Sequence, residues 1–420
     1  MTEKASRSVG ALWRSLGPGL TTGAADDDPS GIATYSQAGA QFGFALTWTM
    51  FLTLPFMAAI QIVSAWIGWR TRRGLTRNLA HVVPQPLVYL LIALLAAANT
   101  INIAADLAAM GEAVRLVVGG STLVYALGFG IACLIAEVFI PYHTYAGYLK
   151  FLSLVLLVYV AAAFSVTLSW SEVLSATFVP SLSLDSDMLL TIVAVFGTTI
   201  SPYLFFWQAS QEAEESRLSH ARQIDPETRN GSLRKISVDT WIGMAVSNIV
   251  AFFIIVTTGA TLHKQGITDI QTAAQAAEAL RPVAGELTFI LFSAGIIGTG
   301  LLAVPVLAGS AAYAVAESFG LQGSLELPAS RALGFYSIVG AATLGGALLS
   351  ATSINPIAML FWSAVINGVA AVPIMLAVMV MVTTSHGTRL FGLPLWLKVL
   401  GWAATVLMTV ACIALLWSSI

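Results

Sequence analysis

Charge is scarce in this chain. Of 420 residues, 19 are Lys or Arg and 21 are Asp or Glu, 10% together, where soluble domains carry roughly 25%. With 57% hydrophobic residues and a mean hydropathy of +0.83, there is too little polar surface to coat a globule in water. A soluble enzyme is excluded and a nucleic-acid partner is not expected; the bilayer is the solvent. Cysteine is nearly absent. Cys133 and Cys412 both sit in apolar runs, which leaves no disulfide framework and no thiolate metal cluster. Long polar stretches are missing too, so no soluble domain is expected. The first twelve residues are polar, and no short apolar segment ends in a small-residue cleavage site, so no cleaved signal peptide is expected.

What the chain has is apolar runs of about 20 residues, the length that spans a bilayer. Eleven are readable: 18–42, 45–69, 87–115, 120–140, 147–168, 188–211, 236–262, 285–316, 332–350, 356–383 and 396–418. The fold class is therefore an all-α polytopic membrane protein, with 1–420 as one transmembrane domain. Lysine and arginine in the connections set the orientation. An N-terminus inside places 16 of the 19 basic residues on the cytoplasmic side and leaves Arg115, Lys264 and Arg281 outside. That bias predicts a cytoplasmic N-terminus and an extracellular C-terminus in the plasma membrane. The longest polar stretch, 211–237, predicts a short cytoplasmic helix continuing span six, its carboxylates solvated, and then a loop at Asn230-Gly231.

Two spans are interrupted. The first carries Asp26-Asp27-Asp28 followed by Pro29-Ser30-Gly31. A carboxylate at bilayer depth costs roughly 3 kcal/mol or more, and Pro29 removes a backbone donor and pushes Asp28 out of the helical region. The sixth contains Gly197-Thr198-Thr199-Ile200-Ser201-Pro202-Tyr203, again small residues closed by a mid-membrane proline. Breaks at corresponding positions of two five-span halves mark an inverted-repeat transporter and its binding site. The repeats would be 1–168 and 188–383, with 396–418 peripheral.

Three consecutive aspartates cannot all face one way on a helix. Asp28, at the break, is the candidate cation ligand; the alternative is that it caps the second half-helix. Asp26 and Asp27 either line a vestibule or bond to other helices. Span six offers the carbonyls of Thr198 and Thr199, the hydroxyls of Ser201 and Tyr203, and Gln208, all hard oxygens suited to Mg²⁺, Ca²⁺ or Mn²⁺. Asn102 and Asp106, four apart on span three, share a face that either lines the path or packs between helices. Asp239 opens span seven. Glu112 and Glu137, near span ends, are expected at the interface.

Gly17-Pro18-Gly19, Asp28-Pro29-Ser30-Gly31, Gln37-Ala38-Gly39-Ala40 and Phe42-Gly43 together resemble the first span of the NRAMP divalent-metal transporters. Asp106-Leu107-Ala108, Asp239-Thr240 and Asn248 are similar to that family as well, in the same eleven-span order. The resemblance implies a LeuT-like fold, with spans 1–5 and 6–10 as inverted repeats around broken helices 1 and 6. It implies a metal site of Asp28, Gly31, Thr198 and Ser201, with Ala25, Asp27, Asn102, Asp106, Tyr203 and Gln208 along the path. The departures are informative. Gly31 stands where the family has a ligating Asn, Ser201 where it has a thioether Met, Tyr203 and Gln208 where it has His, and Ala109 where it has Glu. Losing the soft ligand weakens discrimination against Mg²⁺, and losing the proton-carrying groups weakens proton coupling. This pattern resembles the NRAMP-related magnesium transporters, a prokaryotic branch, which implies the inner (plasma) membrane of a prokaryote. It implies Mg²⁺ import, with Mn²⁺ also carried, by alternating access without proton coupling. No cofactor is implied and a monomer suffices.

Three rivals remain at the level of sequence. One is a proton-coupled Mn²⁺/Fe²⁺ importer, which the absence of Met and His in the broken segments opposes. Another is a Na⁺-coupled amino-acid symporter, whose substrate carboxylate three aspartates would repel. The last is a Mg²⁺-dependent membrane-embedded enzyme, for which a second Asp-rich motif is missing.

Overall fold

The computed structural model describes residues 17–140, 154–183, 185–221, 229–352 and 354–418. Within them the chain is helical, with no strands. The first span is two helices, α1 (Pro18–Asp26) and α2 (Pro29–Phe42), followed by α3 (Thr47–Thr71), the short α4 (Leu75–Leu79), α5 (Gln85–Val118) and α6 (Thr122–Phe139). Next come α7 (Leu157–Ser165), α8 (Trp170–Phe178), the second broken pair α9 (Ser186–Thr199) and α10 (Pro202–Ala221), and α11 (Arg229–Thr261). The remainder comprises α12 (Ala273–Glu278), α13 (Arg281–Ala284), α14 (Thr288–Ser318), α15 (Leu333–Leu349), α16 (Pro356–Thr383), α17 (Ser385–Phe391) and α18 (Leu395–Ser418).

Eight stretches among the described residues are long and apolar enough to cross a membrane, counting the α9–α10 pair as one, and α15 is a shorter apolar helix. Helix covers most of each sequence-predicted span among the described residues, although that of span six runs on to Ala221 and that of span seven begins at Arg229. Residues 147–153 of the fifth span lie outside the described residues, as do Lys4, Arg7, Arg14, Lys150 and Arg222 from the orientation argument.

Small residues let the central helices meet backbone to backbone, the usual means of association where lipid removes the hydrophobic drive between helices. A Cβ on Gly23 of α1 would lie 2.3 Å from the carbonyl carbon and oxygen of Gly243 on α11. Gly197 of α9 meets Gly368 of α16 in the same way, and Gly68 of α3 meets Ala209 of α10. Both broken helices are thereby fixed at the centre of the bundle, while α6 and α18 expose apolar side chains such as Ile131, Phe139, Val410 and Ile413. Cys133 and Cys412 are buried thiols.

Three expectations fail here for one reason, that helices extend and pack further than polarity alone suggests. Asn230-Gly231 lies inside the first turn of α11 rather than in a loop. Glu212 and Glu214 are buried rather than solvated, because α10 runs unbroken to Ala221; Glu214 accepts a hydrogen bond from the Tyr313 hydroxyl of α14 at 3.0 Å. Glu137 does not reach an interface. It is buried between α6 and α15, beside Thr343. Glu112 fits its expectation, pairing with the exposed Arg115.

Candidate metal site at the paired helix breaks

The two breaks have the same local construction. α1 ends at Asp27 with ψ 50° and α9 ends at Ile200 with ψ 56°; in each case a proline occupies the first turn of the next half-helix. Proline suits that position because the amide it lacks would have no helical partner there.

Asp28 is the N-cap of α2, in an extended conformation (φ −72°, ψ 169°). Its Oδ1 accepts from the Gly31 amide and the Ser30 hydroxyl, each at 2.7 Å. Its Oδ2 accepts from the Asn102 side-chain amide of α5 at 3.0 Å. Asn102 is held in turn by Ser363 of α16, whose hydroxyl donates to its Oδ1 at 2.8 Å. Capping and the ligand role are therefore compatible. An ionised carboxylate has about four acceptor sites, and three donors orient this one while leaving capacity. The side chain is 1% exposed.

The second break lies against the first. A Cβ on Gly31 would come within 3.1 Å of the Thr198 hydroxyl and 3.4 Å of the Asp26 carbonyl. The Tyr203 hydroxyl donates to the Ala25 carbonyl at 3.0 Å, so the start of α10 is tied to the end of α1. Ser201 donates to the carbonyls of Gly197 and Thr198 at 2.7 and 2.9 Å. Asp28, Gly31, Ala25, Thr198, Ser201 and Tyr203 are thus brought together with Asn102 as one buried polar cluster, in which Gly31 and Asn102 contribute N–H groups to Asp28.

The other aspartates divide. The Ser247 hydroxyl of α11 lies 2.6 Å from Asp26 Oδ2 and 2.9 Å from Asp27 Oδ1, so in this conformation both bond to another helix. Asp106 is fully buried and neither carboxylate oxygen has a well-formed hydrogen bond, although the Ser30 amide beside Asp28 is near it. A membrane-buried carboxyl beside the break, with a single backbone amide near it, has unused capacity for a cation or a proton. Gln208 lies nearly two turns beyond Ser201 and donates to Thr240 of α11 at 2.8 Å. Asp239 accepts from the Gly17 and Gly19 amides at 3.0 and 2.7 Å, capping α1 from α11. Such a contact satisfies amides that have no partner within the helix.

Sequence reasoning did not single out Ser247 or Ser363, because a membrane serine more often bonds its own helix and nothing in spacing reveals which ones face a carboxylate. Met110, one turn beyond Asp106, is a further addition: its side chain faces Gly300 of α14, which also faces Pro29.

A family model described as "Natural resistance-associated macrophage protein-like" matches residues 19–418. The chain belongs to the Nramp family. Among curated relatives, the divalent metal cation transporter MntH of Pectobacterium carotovorum subsp. carotovorum is 29% identical over 311 residues, covering 71% of each chain. The MntH of Erwinia tasmaniensis is 28% identical over 297 residues, covering 68% of each. Among solved structures, the manganese transporter of Eremococcus coleocola superposes with a TM-score of 0.71 at 15% identity, over 95% of this chain and 86% of that one. MhsT in complex with L-phenylalanine gives 0.64 at 15% identity, over 96% and 98%. This Nramp chain therefore has the LeuT-like fold, built around two broken helices.

Proposed function

We propose that this Nramp protein carries Mg²⁺, and Mn²⁺ as well, into the cell by alternating access without obligatory proton transport. Divalent-metal transport rests on family membership and on the relatives, which are transporters and not enzymes. The observation that carries the magnesium reading is the donor set. Asp28, Ala25, Thr198 and Ser201 offer oxygen as their acceptor atoms, Asn102 holds the Asp28 carboxylate through its amide nitrogen, and Ser201 and Tyr203 supply neither thioether nor imidazole. Mg²⁺ prefers hard oxygens and keeps part of its water shell. Inward movement of each charge down an inside-negative potential yields ~2.3 kcal/mol per 100 mV, a sufficient drive without protons. Eleven spans, two inverted repeats, a cytoplasmic N-terminus and a monomeric unit complete the proposal.

A second reading, a proton-coupled Mn²⁺ importer, is favoured by the relatives' names and by the Met110 thioether facing the same layer as Pro29. Flux into proteoliposomes, followed with Mg²⁺-, Mn²⁺- and pH-sensitive dyes, separates the two. Mg²⁺ entry without acidification of the lumen supports the proposal; Mn²⁺ entry with acidification and no Mg²⁺ entry refutes it. Asp28→Ala abolishes flux if the site is assigned correctly, and full Mg²⁺ flux in that variant removes the assignment.

A further inference from the structure

A large cavity lies away from the helix breaks, at the end of the bundle that carries the arginine-rich connections. It has a volume of about 630 Å³ and is walled by the end of α3, by α10 and by the end of α14 with the segment after it. A second cavity of about 350 Å³ shares Arg73, Arg77 and Glu317 with it and reaches Val88 and Tyr89 at the start of α5. Arg72, Arg73, Arg77 and Arg217 line the first, and His81 joins Arg73 in the second.

Three carboxylates share these walls, Glu214, Glu317 and Glu326, and each has partners of its own. Glu317 accepts from the Gly74 and Arg77 backbone amides at 2.5 and 3.4 Å. Gly74 permits this, since a Cβ there would strike the carboxylate. Glu214 takes the Tyr313 hydroxyl. The guanidinium groups of Arg73, Arg77 and Arg217 are exposed; Arg217 donates to the Ala213 carbonyl of its own helix and lies within electrostatic reach of Glu214 and Glu317, Arg77 lies within reach of Glu317, and Arg73 lies 3.5 Å from His81. Beside the second cavity the surface turns apolar. Tyr89 stacks on Phe319 with ring centroids 6.1 Å apart, and Leu90 and Leu333 are exposed.

We propose that this paired cavity binds a phosphate-bearing anion, namely the headgroup of an acidic phospholipid whose acyl chains lie along Tyr89, Phe319 and Leu90. Basic pockets between membrane helices on the cytoplasmic side take such headgroups. A guanidinium fork matches phosphate oxygens in pairs. The apolar flank favours a lipid over a soluble phosphate. Nothing in this proposal requires the transported ion to be Mg²⁺.

The test uses the full chain, purified in neutral detergent and titrated with phosphatidylglycerol, cardiolipin, phosphatidylcholine or inorganic phosphate. Bound lipid is counted by native mass spectrometry and the thermal midpoint is recorded. Acidic lipid is expected to bind and raise the midpoint while phosphatidylcholine does neither. The combined Arg73→Gln, Arg77→Gln and Arg217→Gln variant should bind it on the order of 100-fold more weakly. The matching Arg→Lys variant keeps the charge but loses the fork, so it should bind more weakly than wild type and more tightly than the Gln variant, which separates charge from misfolding. Arg389→Gln with Lys398→Gln, basic groups outside the cavity, should change nothing. Equal binding of acidic and neutral lipid, or undiminished binding by the triple Gln variant, overturns the proposal. Binding of inorganic phosphate with no lipid preference overturns the lipid assignment.

Discussion

Gly31→Ala tests the site through a single carbon atom. Gly31 sits where the two breaks touch. The new Cβ would lie 3.1 Å from the Thr198 hydroxyl, 3.3 Å from Cε2 of Tyr35 and 3.4 Å from the Asp26 carbonyl. Two of these contacts are shorter than a comfortable one, and the neighbours belong to three helices, so α2 and α9 must separate by a few tenths of an ångström. Metal-site distances tolerate about 0.2 Å, and Mg²⁺ requires near-ideal octahedral geometry. Overpacking of this kind costs about 1–3 kcal/mol, which corresponds to roughly 5- to 150-fold in affinity at 1.4 kcal/mol per tenfold. The assay is the Mg²⁺ concentration dependence of flux in proteoliposomes. Gly128→Ala, with open space around the added carbon, controls for a general effect of replacing a helical glycine. A half-saturating Mg²⁺ concentration within twofold of wild type, in a folded Gly31→Ala protein, would falsify the placement of the ion between the two breaks.

Ser201→Met returns a thioether to the second break and should raise the Mn²⁺ to Mg²⁺ flux ratio by roughly tenfold; an unchanged ratio in a folded variant means residue 201 does not face the ion. Asp239→Ala leaves the Gly17 and Gly19 amides without their acceptor, a loss of about 1–3 kcal/mol, and hydrogen exchange over Pro18–Asp26 should accelerate while that of α16 does not. Gly23→Ala drives a Cβ into the Gly243 backbone. It should cost about 1–3 kcal/mol or more, read as a lower thermal midpoint or loss of folded yield, whereas an unaltered midpoint would show that α1 and α11 are not locked together.

Much of this architecture was already readable from residue order. Scarcity of charge and twenty-residue apolar runs specify helices across a bilayer, because unpaired backbone groups are intolerable in lipid. Asp28-Pro29 and Ser201-Pro202 place the breaks, because proline cannot continue a helix from the preceding turn. The absence of thioether and imidazole at positions 25–31 and 197–203 is likewise a property of residue identity. Tertiary structure decided what those residues touch. Asn102 could have packed on its own helix; it orients Asp28 and is itself set by Ser363, 261 positions away in sequence. Ser247 bonds Asp26 and Asp27 across a separation of more than 200 residues. Glu137, Glu212 and Glu214 looked like interface or solvent groups and are buried, because neighbouring helices cover them. Periodicity and local propensity act over a few residues, and they specify where helices begin, end and break. Which faces meet depends on close packing between distant segments, at contacts such as Gly23 with Gly243 and Gly197 with Gly368, and that information exists only once the whole chain has folded.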